Sequence, residues 1–430
     1  MATIGIDLTP IQGPHRMRGV GSVVINVMRH LSDKDRKKHK LVLFLYEQGK
    51  EAALDLVKAD LLQDYEVRIV KPAPSSQPPN LKTKAGLLHL PVRLRNALAD
   101  HRLGSKRITI VDDLDVFLQF EQDILPPRGV KSVVIAYDLI PYILESDYLW
   151  NYDTARHKHH YSRRGALKAQ LKRSLYLKKV KTAMNRSEKI IAISNHTKQD
   201  FLKYLEVPRD KIDVVYLGVS EYTTPKHAKP TSVERYLNSS WGDINVKIAL
   251  PDTPFLLFVG GADPRRKLAD LVHAFNLLRA QGNDLHLVLA GDTMLGPNSI
   301  PNAEAKHALL SSSYLDDIYM LGFVEELTRE WLYQNATAFV YPSTYEGFGL
   351  PVLEALRYRT PVITYDNSSI REIAGEKVSY AAGYKGIAAA AKELLISLNT
   401  KETSHNEKLN ISDEFSWSKT SKTIMRLTEG

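Results

Sequence analysis

The 430-residue chain has no cysteine, which excludes disulfides and thiolate metal sites and is compatible with a reducing compartment. It also has no apolar run near the length needed to span a bilayer. Its first residues, MATIGID, lack the basic start and long apolar core of a secretory signal. These absences lead us to expect a cytoplasmic protein, at most resting on the inner face of a membrane. What is present is ordinary for a globular chain: 43% hydrophobic and 25% charged residues. The length exceeds a typical single core, so two domains are expected.

Charge is uneven. Residues 1–220 carry 37 Lys+Arg against 24 Asp+Glu, whereas residues 221–430 carry 21 against 25. Much of the excess lies in residues 156–189, with 12 Lys+Arg and one acid, Glu188. Within that stretch Leu167, Leu171 and Leu175 recur at helical spacing, with Lys168, Lys172, Arg173, Lys178 and Lys179 between them. Such a helix is either a core helix with a solvated basic face or a binder of an anionic membrane surface, a nucleic acid or an anionic acceptor. There is no zinc-finger spacing and no RNA-recognition motif, so a nucleic-acid partner is not expected.

The apolar pattern alternates strand and helix. Residues 3–8 read as a buried strand, 9–22 as a glycine-bearing loop that includes Gly19 and Gly21, and 23–31 as a helix. Further strands are expected at 41–46, 67–70, 108–111, 132–136, 189–193 and 214–216. A Pro/Ser-rich loop is expected at 71–84, and a proline-bearing linker at 221–254. A second alternating series follows, with strands at 255–261, 285–290, 318–321, 338–341 and 361–365. The fold class is therefore α/β, with parallel sheets covered by helices. We expect a Rossmann-like domain at 1–220, a second at 255–410 and a terminal segment at 411–430.

The densest chemical signal is the string YPSTYEGFGLPVLE at 341–354. A strand end gives way to a glycine turn, and a helix opens near Leu350 with Pro351 in its first turn, where a missing N–H costs nothing. Gly347-Phe348-Gly349 lets backbone amides approach a ligand closely, and the helix N-terminus offers donors to an anion. Glu346 and Glu354 flank the turn and can accept hydroxyl hydrogen bonds. A phosphate between two polyhydroxylated groups fits this layout, and a nucleotide sugar is such a molecule. Upstream, GGADPRRKL at 260–268 follows a strand and opens a helix. Arg265, Arg266 and Lys267 there can neutralise a diphosphate.

The 341–354 string resembles the E-x7-E motif of glycosyltransferase family 4, retaining enzymes of the GT-B fold. The resemblance implies two facing Rossmann-like domains with a central cleft, the first binding the acceptor and the second the nucleotide sugar. It implies that Glu346 contacts the donor sugar, that Gly347, Phe348, Gly349 and Leu350 contact sugar and diphosphate, and that Glu354 binds the ribose. By the same resemblance, Arg265 and Arg266, or Lys267 with a one-residue shift, bind the phosphates. Backbone groups near Phe323 and Val324 contact the base, and Gly19 and Gly21 lie near the donor phosphate and the acceptor. Many relatives carry a histidine where this chain has Tyr137, beside Asp138, so Tyr137 and Asp138 are the candidate catalytic pair with Glu346. A tyrosine with an ordinary pKa near 10 is a poor base, though its hydroxyl can donate a hydrogen bond. The tail FSWSK at 415–419 resembles the family's closing helix, which crosses back to the first domain.

The implied function is metal-independent, retaining transfer of a hexose such as mannose. The donor is GDP- or UDP-linked, the acceptor is a hydroxyl of a glycan or lipid-linked molecule, and no cofactor takes part. The family link also implies a role in bacterial polysaccharide or cell-envelope synthesis, with the basic N-terminal domain a candidate for a membrane surface. Two alternatives stand beside it: a GT-B protein that binds sugar nucleotides without turnover, and an NAD-dependent oxidoreductase. The second is weakened because the first loop lacks a clean G-x-G-x-x-G. Two metal-like strings are read as decoys, Asp113-Leu114-Asp115 and the histidines at 157, 159 and 160.

Overall fold

The computed structural model describes residues 2–12, 19–62, 64–70, 113–219, 230, 232–239, 242–251, 254–400 and 415–429. The expected loop 71–84 and strand 108–111, together with residues 13–18 of the first loop, lie outside the described residues. The chain divides into two units, Met1–Gly218 with Phe415–Gly430, and Val219–Glu414.

The first unit holds seven strands: β1 Thr3–Asp7, β2 Lys40–Leu45, β3 Tyr65–Ile69, β4 Val116–Gln119, β5 Lys131–Ala136, β6 Lys189–Ala192 and β7 Ile212–Val214. They form one parallel sheet in the order β3-β2-β1-β4-β5-β6-β7. β2 (KLVLFL) and β5 (KSVVIA) are buried at every position after the first. Unbroken burial of this kind is what a parallel sheet covered on both faces demands. The chain runs outward from β1 to β3, then returns to β4 beside β1 and continues to β7. The strand ends at β1 and β4 are therefore a topological switch point, where such sheets leave a crevice.

The second unit repeats the plan with six strands: β10 Phe255–Val259, β11 His286–Ala290, β12 Ile318–Gly322, β13 Ala338–Tyr341, β14 Val362–Tyr365 and β15 Ser379–Ala381. Their order is β12-β11-β10-β13-β14-β15, all parallel, so the switch point lies between β10 and β13. Both strings that carry the phosphate and carboxylate chemistry leave these two strands. The register pairs Leu256 with Ala338 and Leu257 with Phe339, which brings the two C-terminal ends together.

Several elements differ from the sequence expectation. The helix after β1 spans Gly19–Arg29, so Gly19 and Gly21 occupy its first turn and not a loop. Gly21 is buried with Val24 and Met28, and the packed face extends one turn earlier than the apolar run shows. β4 was not anticipated, because its VFLQ is short and follows the acids Asp113 and Asp115. The expected linker carries an antiparallel hairpin, β8 Val233–Ser239 with β9 Gly242–Ile248, in a proline-free interval.

The C-terminal helix Trp417–Thr428 packs within the first unit. Ser421 donates to Val27 O at 2.8 Å, and Thr420 donates to Tyr216 O at 2.7 Å. Glu429 at its end holds Lys38 and the buried His39. A Cβ at Gly218 would run into the backbone of Trp417, so a glycine is needed where the helix closes down.

Candidate functional site

In the second unit the carboxylate of Glu346 is the centre of the site. It is 7% exposed, on the loop between β13 and the helix Leu350–Arg357. Tyr341 at the end of β13 donates to its Oε1 at 2.8 Å, and Ser343 donates at 2.9 Å. Arg265 approaches Oε2 at 3.3 Å, and Arg266 Nε lies 3.7 Å from Oε1. Burial pushes the Glu346 carboxyl up, but Arg265, Arg266 and the hydroxyls of Tyr341 and Ser343 together outweigh it and hold it below its ordinary value. The group is thus an anion in a nearly dry place. Its backbone is pinned as well: Ser368 accepts from Glu346 N at 2.8 Å, and the Ser369 hydroxyl lies within donating distance of Glu346 O and Phe348 O, with one proton to give to either.

The two arginines come from the loop after β10. Asp263 opens the short turn Pro264–Arg266 by accepting from Arg265 N, and it also pairs with the Arg265 guanidinium at 2.8 Å. Arg265 Nε donates to Tyr345 O, while its own carbonyl accepts from Thr344 N at 2.8 Å. These bonds stitch the β10 loop to the β13 loop. Arg266 donates to Gly261 O and lies over the Tyr341 ring, 5.5 Å from its centroid. Gly260 has φ of +151°, and a Cβ there would press on the Arg266 guanidinium. Lys267 adopts a left-handed backbone before the helix Leu268–Ala280 and has no side-chain partner among the described residues.

The turn itself needs glycine. Gly349 has φ of +105°, and a Cβ would collide with Ile370. This conformation starts the helix Leu350–Arg357 with Pro351 in its first turn; Val352 N and Leu353 N donate back to Gly349 O, so the amides of Gly349 and Leu350 are the donors at the helix N-terminus left to a ligand. One turn in, Glu354 accepts from the buried Tyr333 hydroxyl at 3.1 Å. The Arg329 guanidinium is held in its charged form chiefly by Glu354. Tyr333 and Arg329 come from the helix Glu326–Asn335 and were not anticipated, because nothing local to Glu354 marks them. At the end of β12, Val324 is buried and Phe323 is 55% exposed.

The first unit holds the remaining candidates. Tyr137 follows β5, is 9% exposed, and its hydroxyl is buried with no hydrogen bond among the described residues. Burial, then the charge of Glu121, raises its pKa well above 10, so the hydroxyl stays protonated and can only donate or accept as a neutral group. Its backbone is held by Gln122, which accepts from Tyr137 N at 2.7 Å, and by Thr197, which donates to Tyr137 O at 2.9 Å. Asp138 accepts from Ile140 N at 3.0 Å, two residues on, just before the turn Ile140–Ile143. Sequence reasoning missed Asp200 on the helix Asn195–Leu205, which Ser194 caps by accepting from Thr197 N. Asp200 is 8% exposed, and His196 lies 3.7 Å away one turn earlier. Burial raises its pKa to about 7, with Asp138 adding to the rise and Lys203 opposing it. The i, i+4 spacing of His196 and Asp200 was the only visible signal.

The metal-like strings have other occupations. Asp113 forms a two-pronged pair with Arg68, and Asp115 accepts from Thr3 N at 2.7 Å. His159 stacks on Trp150 with centroids 3.9 Å apart, and His157 and His160 are exposed. Among the described residues no group of three His, Asp or Glu side chains is placed to hold a metal ion, and no helix is long and apolar enough to cross a membrane.

Comparison with known proteins gives the family and the fold. The family models "Glycosyltransferase Family 4" and "Glycosyl transferases group 1" match residues 17–221 and 243–411. The chain is 26% identical over 249 residues to the Escherichia coli serotype-specific mannosyltransferase WbdA, covering 57% of this chain and 26% of that protein. It is 26% identical over 251 residues to the E. coli O-antigen chain mannosyltransferase B, covering 56% and 60%. The matches thus span between about a quarter and three fifths of those relatives. Among solved structures, Anabaena Alr3699/HepE in complex with UDP and glucose superposes with a TM-score of 0.61 at 14% identity, covering both chains completely. WaaG, a glycosyltransferase involved in lipopolysaccharide biosynthesis, superposes with a TM-score of 0.56 at 14% identity, covering 99% of this chain and all of that one. These likenesses identify the fold as GT-B, built from two Rossmann-like units.

Proposed function

Because the chain belongs to glycosyltransferase family 4, we propose that it moves a hexose from a nucleoside diphosphate sugar to a hydroxyl of a glycan or lipid-linked acceptor, with retention and without a metal. The observation that carries this reading is Glu346, an anion buried between two arginines at a switch point and beside a helix N-terminus. Glu346 positions the sugar. Arg265, Arg266 or Lys267, with the amides near Gly349 and Leu350, take the diphosphate, and Glu354 takes the ribose. In the transfer the bond from the anomeric carbon to the diphosphate oxygen breaks, and the acceptor oxygen bonds to that carbon on the same face. The acceptor's proton passes to the departing diphosphate, whose growing charge the arginines stabilise. No strong base is then required of the enzyme, which agrees with a Tyr137 hydroxyl that stays protonated.

Mannose is the first hexose to try, since two similar bacterial proteins are named mannosyltransferases. UDP is a candidate carrier because HepE is described in complex with UDP and glucose; GDP is the other. The test is a panel of UDP-, GDP- and ADP-sugars, read both by thermal shift and by release of nucleoside diphosphate. We expect one donor to raise the melting temperature and to release its nucleoside diphosphate when an acceptor is supplied. Binding without release from any donor would favour a sugar-nucleotide-binding protein. No response to any nucleotide sugar would overturn both readings.

A further inference from the structure

The loops that carry Arg265, Arg266 and Glu346 leave β10 and β13, and a third strand, β14, ends beside them. The ladder between β13 and β14 stops at Tyr341 and Thr364. Beyond it, residues 364–370 hold the backbone of the Glu346 loop with side chains. Buried Thr364 donates to Tyr341 O at 2.8 Å. Asn367 donates to Ser343 O, and the Ser343 hydroxyl reaches the Glu346 carboxylate. The Ser368 hydroxyl accepts from Glu346 N at 2.8 Å and has Glu346 O at 2.9 Å and Asn367 Oδ1 at 2.6 Å within reach of its one proton. The buried Ser369 hydroxyl has Glu346 O at 2.9 Å and Phe348 O at 2.8 Å. Tyr365 turns the other way and donates to Asp270 at 2.5 Å, on the helix that follows the arginine turn. One segment therefore braces both loops.

Ser368 holds this place at a cost. Its φ is +30°, in the left-handed region where a side chain is strained, and such a conformation persists only where its surroundings over-determine it. A glycine would adopt it freely, but it would bring no hydroxyl to the N–H and C=O of Glu346. A brace that served the fold alone would need to tie only the ends of the loop, whereas here the two serines meet both backbone groups of the residue that carries the carboxylate. We propose that Ser368 and Ser369 are positioning residues for the donor sugar. They fix the backbone of Glu346 so that its carboxylate, aligned at the other end by Tyr341, Ser343 and the arginines, stands where the sugar's hydroxyl arrives. This role rests on the transfer reading, with Glu346 at the sugar.

The test follows transfer kinetics and urea unfolding of the full chain with the donor that the nucleotide-sugar panel selects. Ser368→Gly removes the hydroxyl and the backbone strain together, so the unfolding midpoint stays near the wild-type value. Its kcat falls about tenfold while the donor KM moves less than about twofold, because the carboxylate is displaced and not removed. Ser368→Ala keeps the strain and loses the hydroxyl, giving the same fall in kcat with a lower midpoint. Ser369→Ala also lowers kcat about tenfold. Adding Ser368→Gly to Glu346→Ala costs no further turnover, since a residue that acts through the carboxylate is silent without it. Arg371→Gln breaks exposed pairs with Asp366 and Glu376 in the same segment and leaves kcat within about twofold. Wild-type kcat in the serine variants, with Glu346→Ala impaired, overturns the positioning role and leaves the transfer reading standing. Equal losses from Ser368→Gly with and without Glu346 overturn it too, because the effect then bypasses the carboxylate. Wild-type turnover in Glu346→Ala, or no turnover of any donor by the wild type, overturns the transfer reading, and the positioning role falls with it.

Discussion

Glu346 and Asp200 are both buried carboxylates near the C-terminal ends of parallel strands, one in each unit, and their settings are opposite. Two arginines and two hydroxyls converge on Glu346 and keep it ionised. For Asp200, burial outweighs the nearby Lys203, Asp138 adds to the rise, and its pKa climbs to about 7, with His196 at 3.7 Å. Burial alone therefore does not decide the charge of a carboxylate; the groups brought to it do. The fixed anion is organised before any ligand arrives, which is what the proposed donor role requires. The other unit keeps a titratable acid and a Tyr137 hydroxyl with no hydrogen bond among the described residues.

The largest effect should come from breaking the fixed anion. Glu346→Ala takes the carboxylate from Arg266 and leaves Arg265 with Asp263, and loss of one partner of a buried pair costs about 3–5 kcal/mol. The second unit's unfolding midpoint should fall accordingly, and transfer should drop on the order of a hundredfold. Wild-type turnover in this variant would remove Glu346 from the donor site. Next in size is Glu354→Ala, which should raise the donor KM about tenfold while kcat changes little, as loss of a charged hydrogen bond implies. Tyr333→Phe, which removes only the hydroxyl that orients Glu354, should give a smaller rise in the same constant. Wild-type KM in both would show that Glu354 does not hold the donor.

The contrast between the units also governs what could be read in advance. The Glu346 turn was legible because its parts are consecutive: strand, Glu346, glycines, Pro351 and Glu354 lie within fourteen residues. The arginines were legible because they follow a strong strand, and the strand order later placed both loops at one switch point. Tyr333 and Arg329 were not legible, since they reach Glu354 from a separate helix through tertiary packing. Asp200 was hidden for another reason: burial sets its charge, and no local pattern reports the burial of a single acid on a helix. The basic helix was found, but its leucines read equally as a core stripe or as part of a binding face, and the exposure of Leu167 and Leu171 emerges only in the fold.

The sign of the pH response separates the two carboxylates. Asp200 has a folded pKa near 7 against an ordinary 3.8, so between those values the folded state binds more protons than the unfolded one. Its contribution therefore falls as pH rises from about 4 to about 7 and stays flat above, a loss of a few kcal/mol at most. Glu346 runs the other way: its folded pKa is lowered, so its stabilisation is present above 4.5 and is lost as pH falls through the folded value. Urea titrations of wild type and Asp200→Asn across this window test the difference. The variant should lose the decline between pH 4 and 7, and an unchanged decline would mean that another group carries it.

The smallest effect should come from Tyr137→Phe. Its hydroxyl is buried without a hydrogen bond among the described residues, and an unsatisfied buried hydroxyl costs about 1–3 kcal/mol. Removing it should stabilise the first unit by about 1 kcal/mol, seen as a rise in its urea midpoint. If the same hydroxyl is held in reserve for a substrate oxygen, the variant should also lose about tenfold in kcat/KM, the worth of one hydrogen bond made only when substrate is bound. Gain of stability with loss of turnover would mark Tyr137 as part of the catalytic apparatus. Gain of stability with unchanged turnover would reduce it to packing at the end of β5 and leave Asp138 as the first unit's candidate from the pair.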